Sequence, residues 1–158
     1  MIVSSRAISR IATILNKTED AQKYQAQVTE FTDVLNQNFW DESRQMYDDI
    51  YIDESGNKVF DNHTGYLNFW PLFLYAIDPK DERFEITMKK LIDPDFGLWT
   101  PFGISSLSKY DPYYKMGDNY WTSPIWMNIN FLIVKALFDY SNNQDVEITL
   151  RGQIKDAY

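Results

Sequence analysis

The stretch at residues 116–130 combines flat aromatic rings with amide and carboxylate side chains, which is the chemistry of sugar binding. It reads MGDNYWTSPIWMNIN and contains Asp118, Asn119, Tyr120, Trp121 and Trp126. An aromatic face stacks against the C–H groups of a sugar ring, and amides and carboxylates form hydrogen bonds with its hydroxyls. We therefore predict that these five residues bind a sugar.

Two more aromatic residues, Trp99 and Phe102, stand earlier in the same irregular segment, residues 93–124. Loops of this length in compact domains are usually functional or disordered, and the aromatic content favours order. We predict that Trp99 and Phe102 belong to the same substrate-binding wall. The alternative is that Trp99, Trp121 and Trp126 are wedges that pack an irregular loop.

Carboxyl groups in this segment offer a second kind of chemistry. Inverting glycosidases place two carboxyl groups across the scissile bond, with a water molecule between one of them and the sugar. Four aspartates could supply such a pair: Asp93, Asp95, Asp111 and Asp118. The alternative is that they form turns and cap short helices, as aspartates in loops commonly do.

Other polar positions carry weaker signals. His63 stands just before an apolar helical pattern, where it is either a hydrogen-bonding residue at the helix entrance or a ligand or base. Four acidic residues could hold calcium or form a solvated turn, but their spacing matches no EF-hand loop: Asp48, Asp49, Asp53 and Glu54. The chain has no cysteine, which excludes thiolate chemistry and a Cys/His zinc site. No metal or cofactor is predicted.

Composition limits the partners. The net charge of −8 disfavours binding to nucleic acid, whose phosphates would be repelled. With 158 residues, 44% of them hydrophobic and 16% aromatic, the chain is long enough to bury one hydrophobic core and too short to form two stable domains of typical size. We expect one unit, or part of one, with a neutral partner.

The hydrophobic pattern predicts an all-α fold of helical hairpins. Thr18 is expected to cap the second helix, and residues 40–60 are expected to form a small β-like excursion. The third and fifth helices lack a polar face, so we expect them to be buried and adjacent. The six predicted helices cover residues 2–15, 18–35, 65–77, 81–92, 125–140 and the chain from 145 onward.

Several ordered motifs resemble glycoside hydrolase family 63, in particular its α-glucosidases that process N-glycans. They are HTGY at 63–66, LWTPFG at 98–103, SSLS at 105–108, NYW at 119–121 and PIWMNIN at 124–130. The family usually has Arg-Gly after the Tyr-Trp pair, whereas this chain has Thr122 and Ser123. That difference removes a cation that could pair with a carboxylate or a sugar hydroxyl.

The resemblance implies an (α/α)6 toroid, of which residues 1–158 would be a single partial domain from the middle portion. It also implies an inverting exo-α-glucosidase acting on the terminal glucose of N-glycan-type oligosaccharides in the endoplasmic reticulum lumen. The family's acid and base would lie outside this chain, so no catalytic residue is expected here and the loop aspartates would not react. The alternatives are a non-catalytic carbohydrate-binding relic and a helical interaction scaffold.

Overall fold

A computed structural model describes residues 1–117 and 119–158 of the chain. The fold is mostly helical, as predicted, with three two-stranded antiparallel hairpins. The helices are α1 (Ile2–Ile14), α2 (Thr18–Phe39), α3 (Trp70–Phe73), α4 (Glu82–Ile92), α5 (Met127–Ser141) and α6 (Ile148–Asp156), with short 3-10 helices at Tyr66–Phe69 and Pro94–Phe96. In the part of the chain that the structure describes, the helices are too short or too polar to cross a membrane.

The first two helices form the predicted hairpin, but α1 packs through an unexpected face. Its buried residues are Ser5, Ser9 and Ala12, and the Ser9 hydroxyl donates to the carbonyl of Ala21 in α2 at 2.9 Å. The large aliphatic residues that gave α1 its helical period are exposed: Val3, Ile8, Ile11, Ile14 and Leu15. The prediction that Thr18 caps α2 is wrong. Lys17 occupies the N-cap position, and no side chain forms a capping hydrogen bond with the first turn of α2.

Residues 40–60 form two of the hairpins, which is more strand than the single excursion predicted. Strand β1 (Trp40–Asp41) pairs with β2 (Met46–Tyr47), and β3 (Ile50–Ile52) pairs with β4 (Lys58–Phe60). The turn between β3 and β4 is stabilised by Asp53, whose carboxylate accepts from the amides of Ser55 and Asn57. The third hairpin, β5 (Trp99–Thr100) with β6 (Gly103–Ile104), lies inside the long irregular segment.

The third predicted helix is broken. A 3-10 turn and the four-residue helix α3 replace the continuous helix expected over residues 65–77. Pro71 has no amide hydrogen and is tolerated only in the first turn of a helix, so it marks a new start, and Tyr75 has a left-handed φ of 53° that ends α3. Leu67 is exposed rather than buried.

The core forms where α3 packs against α4 and α5, with α6 packed on α4 and α5; α3 and α5 are adjacent, as predicted. Leu72 is fully buried, and its carbonyl accepts from the Tyr140 hydroxyl of α5 at 3.1 Å. Ile129 is half-buried against the same core. Fully buried residues from these elements include Phe69, Phe84, Met88, Leu91, Ile133, Leu137 and Ile154.

The outer face of α5 is uncovered, so this helix is buried on one side only and not throughout, which corrects the prediction from the sequence. Met127, Phe131, Val134 and Phe138 follow one another at spacings of four, three and four residues and are all exposed, Phe131 by 68%. Monomeric proteins rarely leave a contiguous apolar surface of this kind open to water. We call these four residues the α5 stripe.

Two glycines provide a matched test of the packing. An added Cβ at Gly65 would lie 2.5 Å from the carbonyl oxygen of Ser106, whereas at Gly152, inside α6, it would meet nothing within 4 Å. We expect Gly65→Ala to lower the free energy of unfolding by about 1–3 kcal/mol through overpacking. Gly152→Ala should raise it by about 0.5–1 kcal/mol, because alanine favours the helix.

Urea denaturation of both variants and of the wild type would measure these changes. A Gly65→Ala protein as stable as the wild type would show that the backbone at residues 65 and 106 is not held in close contact.

Candidate sugar-binding site

The long segment at residues 93–124 is fixed by hydrogen bonds to the rest of the fold. The amide of Ser108 donates to the carbonyl of Thr64 at 2.7 Å, and the amide of Tyr66 donates to that of Ser106 at 3.3 Å. Residues 105–108 therefore run beside residues 64–66, with an isolated bridge between Gly65 and Leu107. These bonds pair the backbone of residues 105–108 with another part of the fold.

Asn130 joins the third hairpin to helix α5. Its side-chain Oδ1 accepts from the amide of Ile104 at 2.8 Å, and its Nδ2 donates to the carbonyl of Ile104 at 3.0 Å. Gly103 lies in direct contact with Asn130 and Ile125. One amide side chain thus holds the β5–β6 hairpin against the entrance of α5.

Three of the predicted sugar-binding residues form one group, which we call the aromatic cluster: Tyr120, Trp121 and Trp126. The two indole rings are stacked, with centroids 5.3 Å apart and an interplanar angle of 19°. The ring of Tyr120 meets each indole edge-on at 4.9 Å. Trp121 is 62% exposed, whereas Trp126 is partly buried against the core.

The backbone behind the aromatic cluster is held by Ser106. Its hydroxyl donates to the carbonyl of Trp121 at 2.8 Å, and its amide donates to the carbonyl of Pro124 at 3.0 Å. The two hydrogen bonds of Ser106 therefore hold the backbone that carries the exposed ring of Trp121.

The other predicted site residues lie in different surroundings. The indole nitrogen of Trp99 donates to the carbonyl of Leu91 at 2.6 Å, and the ring is partly buried against the core. Phe102, at the tip of the β5–β6 hairpin, is 83% exposed. Asp118 lies outside the described residues.

Asn119 lies against Thr122 and Ser123, the two positions at which the resemblance to the family implies Arg-Gly. The Ser123 hydroxyl donates to Asn119 Oδ1. The Thr122 hydroxyl lies 3.4 Å from the same oxygen and donates to the carbonyl of Met116 at 3.0 Å. Asn119 has a left-handed φ of 57°, a conformation that asparagine tolerates better than most residues. Thr122 and Ser123 therefore support the turn instead of supplying a cation.

A pair that sequence reasoning did not connect, His63 and Asp111, fastens the segment to the HTGY motif. His63 Nδ1 lies 3.0 Å from Asp111 Oδ2, which also accepts from the amide of Thr64 at 3.2 Å. Asp111 Oδ1 accepts from the amide of Tyr113 at 2.9 Å. His63 is thus a hydrogen-bonding residue at the helix entrance, one of the two interpretations that the sequence left open.

The charge of Asp111 is stabilised by these bonds. Burial acts to raise the pKa of its carboxyl, but the hydrogen bonds from Tyr113, His63 and Thr64 outweigh burial and hold the pKa below its ordinary value. Only 2% of the side chain is exposed. A buried carboxylate that accepts three hydrogen bonds favours a structural role over a reacting one.

A second polar network lies behind the HTGY motif. Arg44 forms an ion pair with the buried Asp48 and donates to the Thr64 hydroxyl at 2.7 Å. Asn68 accepts from the amide of Gly65 at 2.7 Å. Burial raises the pKa of Asp48, against the effect of Arg44. Asp48 and Asp53 thus have structural partners, and in residues 1–117 and 119–158 no three acidic or histidine side chains converge to hold a metal.

The sequence profile described as the Glycosyl hydrolase family 63 C-terminal domain matches residues 1–158. The chain belongs to glycosyl hydrolase family 63. This confirms the family that the ordered motifs predicted.

Curated relatives from family 63 are much longer than this chain. A probable mannosyl-oligosaccharide glucosidase of Schizosaccharomyces pombe is 37% identical over 134 residues, which are 85% of this chain and 16% of that protein. The mannosyl-oligosaccharide glucosidase of Saccharomyces cerevisiae is 34% identical over 157 residues, 98% of this chain and 18% of that protein. The chain therefore spans less than one fifth of the length of these relatives.

A solved structure from family 63 shares the fold. It is the mannosylglycerate hydrolase of Thermus thermophilus in complex with glucose, which superimposes with a TM-score of 0.68 at 18% sequence identity. The match covers 99% of this chain and 34% of the hydrolase chain. A second structure of that hydrolase, in complex with Tris, gives a TM-score of 0.69. The arrangement of helices and hairpins is thus the same as in part of a family 63 protein.

Asp111 gives a prediction for acid stability. Because its pKa is lowered on folding, its contribution to stability is present above the unfolded pKa of about 3.9 and is lost as the pH falls through the folded value. Asp111→Asn loses one acceptor and should lower the free energy of unfolding by about 1–3 kcal/mol at neutral pH. The difference between wild type and variant should shrink as the pH falls below about 4.

Urea denaturation across this pH range would test the prediction, with the exposed Glu30 of α2 replaced by glutamine as the control. A difference between wild type and Asp111→Asn that stays constant down to the acid limit would contradict a role for the Asp111 charge.

Proposed function

We propose that the chain is part of the catalytic domain of an inverting exo-α-glucosidase that removes the terminal glucose of N-glycan-type oligosaccharides. Family membership supports glycoside hydrolysis, and the names of the two yeast relatives support mannosyl-oligosaccharides as the substrate class. One observation supports a sugar-binding site within this chain: the exposed ring of Trp121 is stacked on Trp126 at the entrance of α5.

The part that this chain would play is to hold the sugar. Trp121 offers a flat apolar face, the neighbouring Asn119 and Tyr120 are exposed, and Phe102 is exposed at the tip of the β5–β6 hairpin. An aromatic pair gains roughly 0.5–1.5 kcal/mol beyond the burial of its area, and a sugar stacked on one aromatic ring should gain no more. We accordingly expect weak binding of a single sugar, in the millimolar range.

Nuclear magnetic resonance titration with glucose tests this site. The indole signals of Trp121 and Trp126 should shift at millimolar glucose, and Trp121→Ala should abolish the shifts of Trp126 without unfolding the chain, because Trp121 is largely exposed. Tyr51→Ala serves as the control, since Tyr51 is a similarly exposed ring in the β3–β4 hairpin. Unchanged binding by Trp121→Ala would eliminate the aromatic cluster as the sugar site.

We further propose that residues 1–158 are one partial domain, the middle portion of an (α/α)6 toroid, with the general acid and base elsewhere in the parent protein. Asp111 has structural partners, which fits this view. The parent would act in the endoplasmic reticulum lumen, the compartment of N-glycan processing. Turnover of a glucosylated oligosaccharide by residues 1–158 alone, abolished by Asp111→Asn, would overturn the assignment of the catalytic groups.

The α5 stripe gives a test of the partial domain. If other helices of the toroid cover it, the isolated chain exposes an apolar face and should self-associate. Replacing both Phe131 and Phe138 with glutamine should reduce that association, while Tyr51→Gln should not. Sedimentation velocity over a range of concentrations measures it, and a wild-type chain that stays monomeric throughout would argue for a complete domain.

A further inference from the structure

Two triplets of the chain have the Asn-x-Thr sequence that accepts N-linked glycans. The first signal is Asn16-Lys17-Thr18 and the second signal is Asn62-His63-Thr64. The asparagine amide takes the sugar, and the hydroxyl two residues later is required as well. Such triplets often arise by chance, so the structure around each asparagine determines whether it is open to reaction.

The first signal lies in the turn between α1 and α2. Asn16 and Thr18 are both exposed, as are Leu15 and Lys17. Within residues 1–117 and 119–158, neither the Asn16 side chain nor the Thr18 hydroxyl forms a hydrogen bond. The turn closes through the backbone alone, because the amide of Asn16 donates to the carbonyl of Thr13 at 3.1 Å. The Asn16 side chain is therefore open to reaction without loss of the turn.

The threonine of the first signal is also accessible, although it is the first residue of α2. Lys17 occupies the N-cap position, and no side chain caps the helix. Helix ends fray, and a missing cap lowers the cost of opening the first turn. A transferase can therefore bind Asn16 and Thr18 together while the rest of α2 stays folded.

The second signal is engaged by the fold. Asn62 Nδ2, the atom that would take the sugar, donates to the carbonyl of Phe60 at 3.1 Å. The Thr64 hydroxyl accepts from Arg44 at 2.7 Å, and the Thr64 amide donates to the buried Asp111 at 3.2 Å. Binding of this triplet to a transferase would break these bonds.

The two signals lie at opposite ends of α2. The helix has 22 residues and is therefore about 33 Å long. Its last residue, Phe39, accepts through its carbonyl from the amide of Asp48 at 2.8 Å, and Asp48 belongs to the polar network behind the HTGY motif. Residues 64–66 of that motif run beside Ser106, which holds the aromatic cluster. A glycan on Asn16 would thus begin at the end of α2 that points away from the candidate sugar-binding site.

We infer that Asn16 is an N-glycosylation site of the folded chain and that the fold protects Asn62. In the reaction, Asn16 Nδ2 forms a bond to the anomeric carbon of an oligosaccharide carried on a lipid pyrophosphate. The bond between that carbon and the pyrophosphate oxygen breaks, the lipid pyrophosphate leaves with the bonding electrons, and Nδ2 loses one proton. In the cell the modification rests on the proposed function, because it needs the endoplasmic reticulum lumen proposed for the parent protein.

Glycosylation of the purified, folded chain tests the site without reference to the compartment. The chain is incubated with a single-subunit oligosaccharyltransferase and a lipid-linked oligosaccharide, and peptide mass mapping measures the occupancy of each asparagine. Occupancy at Asn16 should exceed that at Asn62 by roughly tenfold or more, because exposing the second signal costs several hydrogen bonds. Thr18→Ala should abolish modification of Asn16, whereas Thr18→Ser keeps the hydroxyl and should preserve it.

A peptide of residues 58–68 is the control for the second signal. It lacks Arg44 and Asp111 and should be modified at Asn62, which would show that the fold and not the sequence protects this asparagine. Equal occupancy of Asn16 and Asn62 in the folded chain, or a peptide that is not modified, would overturn the protection of Asn62. A folded chain without modification at Asn16 would overturn the site itself.

Glucose titration of the glycosylated chain separates this inference from the proposed function. The Trp121 signal should shift with glucose as it does in the unmodified chain, because the glycan lies far from the aromatic cluster. If Trp121 reports glucose and Asn16 is never modified, the glycosylation site is wrong and the proposed function stands. If Asn16 is modified and neither form of the chain responds to glucose, the sugar-binding site is wrong and the glycosylation site stands.

Discussion

The candidate sugar-binding site of this chain depends on the fixing of an irregular segment by a few polar side chains. A long loop without regular structure cannot satisfy its own backbone groups, and unpaired buried groups cost free energy. Asp111 meets this constraint for residues 108–113, by accepting from His63, Thr64 and Tyr113. Asn130 meets it for the β5–β6 hairpin, by exchanging two bonds with Ile104. The rings on the surface are positioned because the backbone beneath them is paired.

The helical period predicted where helices form better than which face they bury. The start of α1 at residue 2 and the end of α4 at residue 92 agree with the pattern. The pattern could not show that α1 packs through small residues such as Ser9, since an aliphatic stripe looks the same whether another part of a protein covers it or not. It also gave no weight to Pro71, whose missing amide hydrogen divides the third helix.

The sequence predicted which residue types the candidate site contains, but not how these residues are arranged in space. Aromatic and amide residues in one segment indicated a sugar site, and the group formed by Tyr120, Trp121 and Trp126 lies where that segment enters α5. The link between His63 and Asp111 spans 48 positions, and no local pattern reports a contact at such a separation. Trp99 belongs to the same segment, but its position in the sequence does not reveal that its indole nitrogen donates a hydrogen bond to the carbonyl of Leu91.

The bonds around residues 105–111 also bear on how the molecule assembles. The α1–α2 hairpin is held by contacts between near neighbours, such as Ser9 with Ala21, whereas the segment beside residues 63–66 can dock only after a long stretch of chain has closed. Closing a longer loop costs more conformational entropy, and contacts distant in sequence form more slowly. The segment at residues 105–111 is therefore expected to fold last, and amide exchange during refolding would show protection at Ser108 later than in α2.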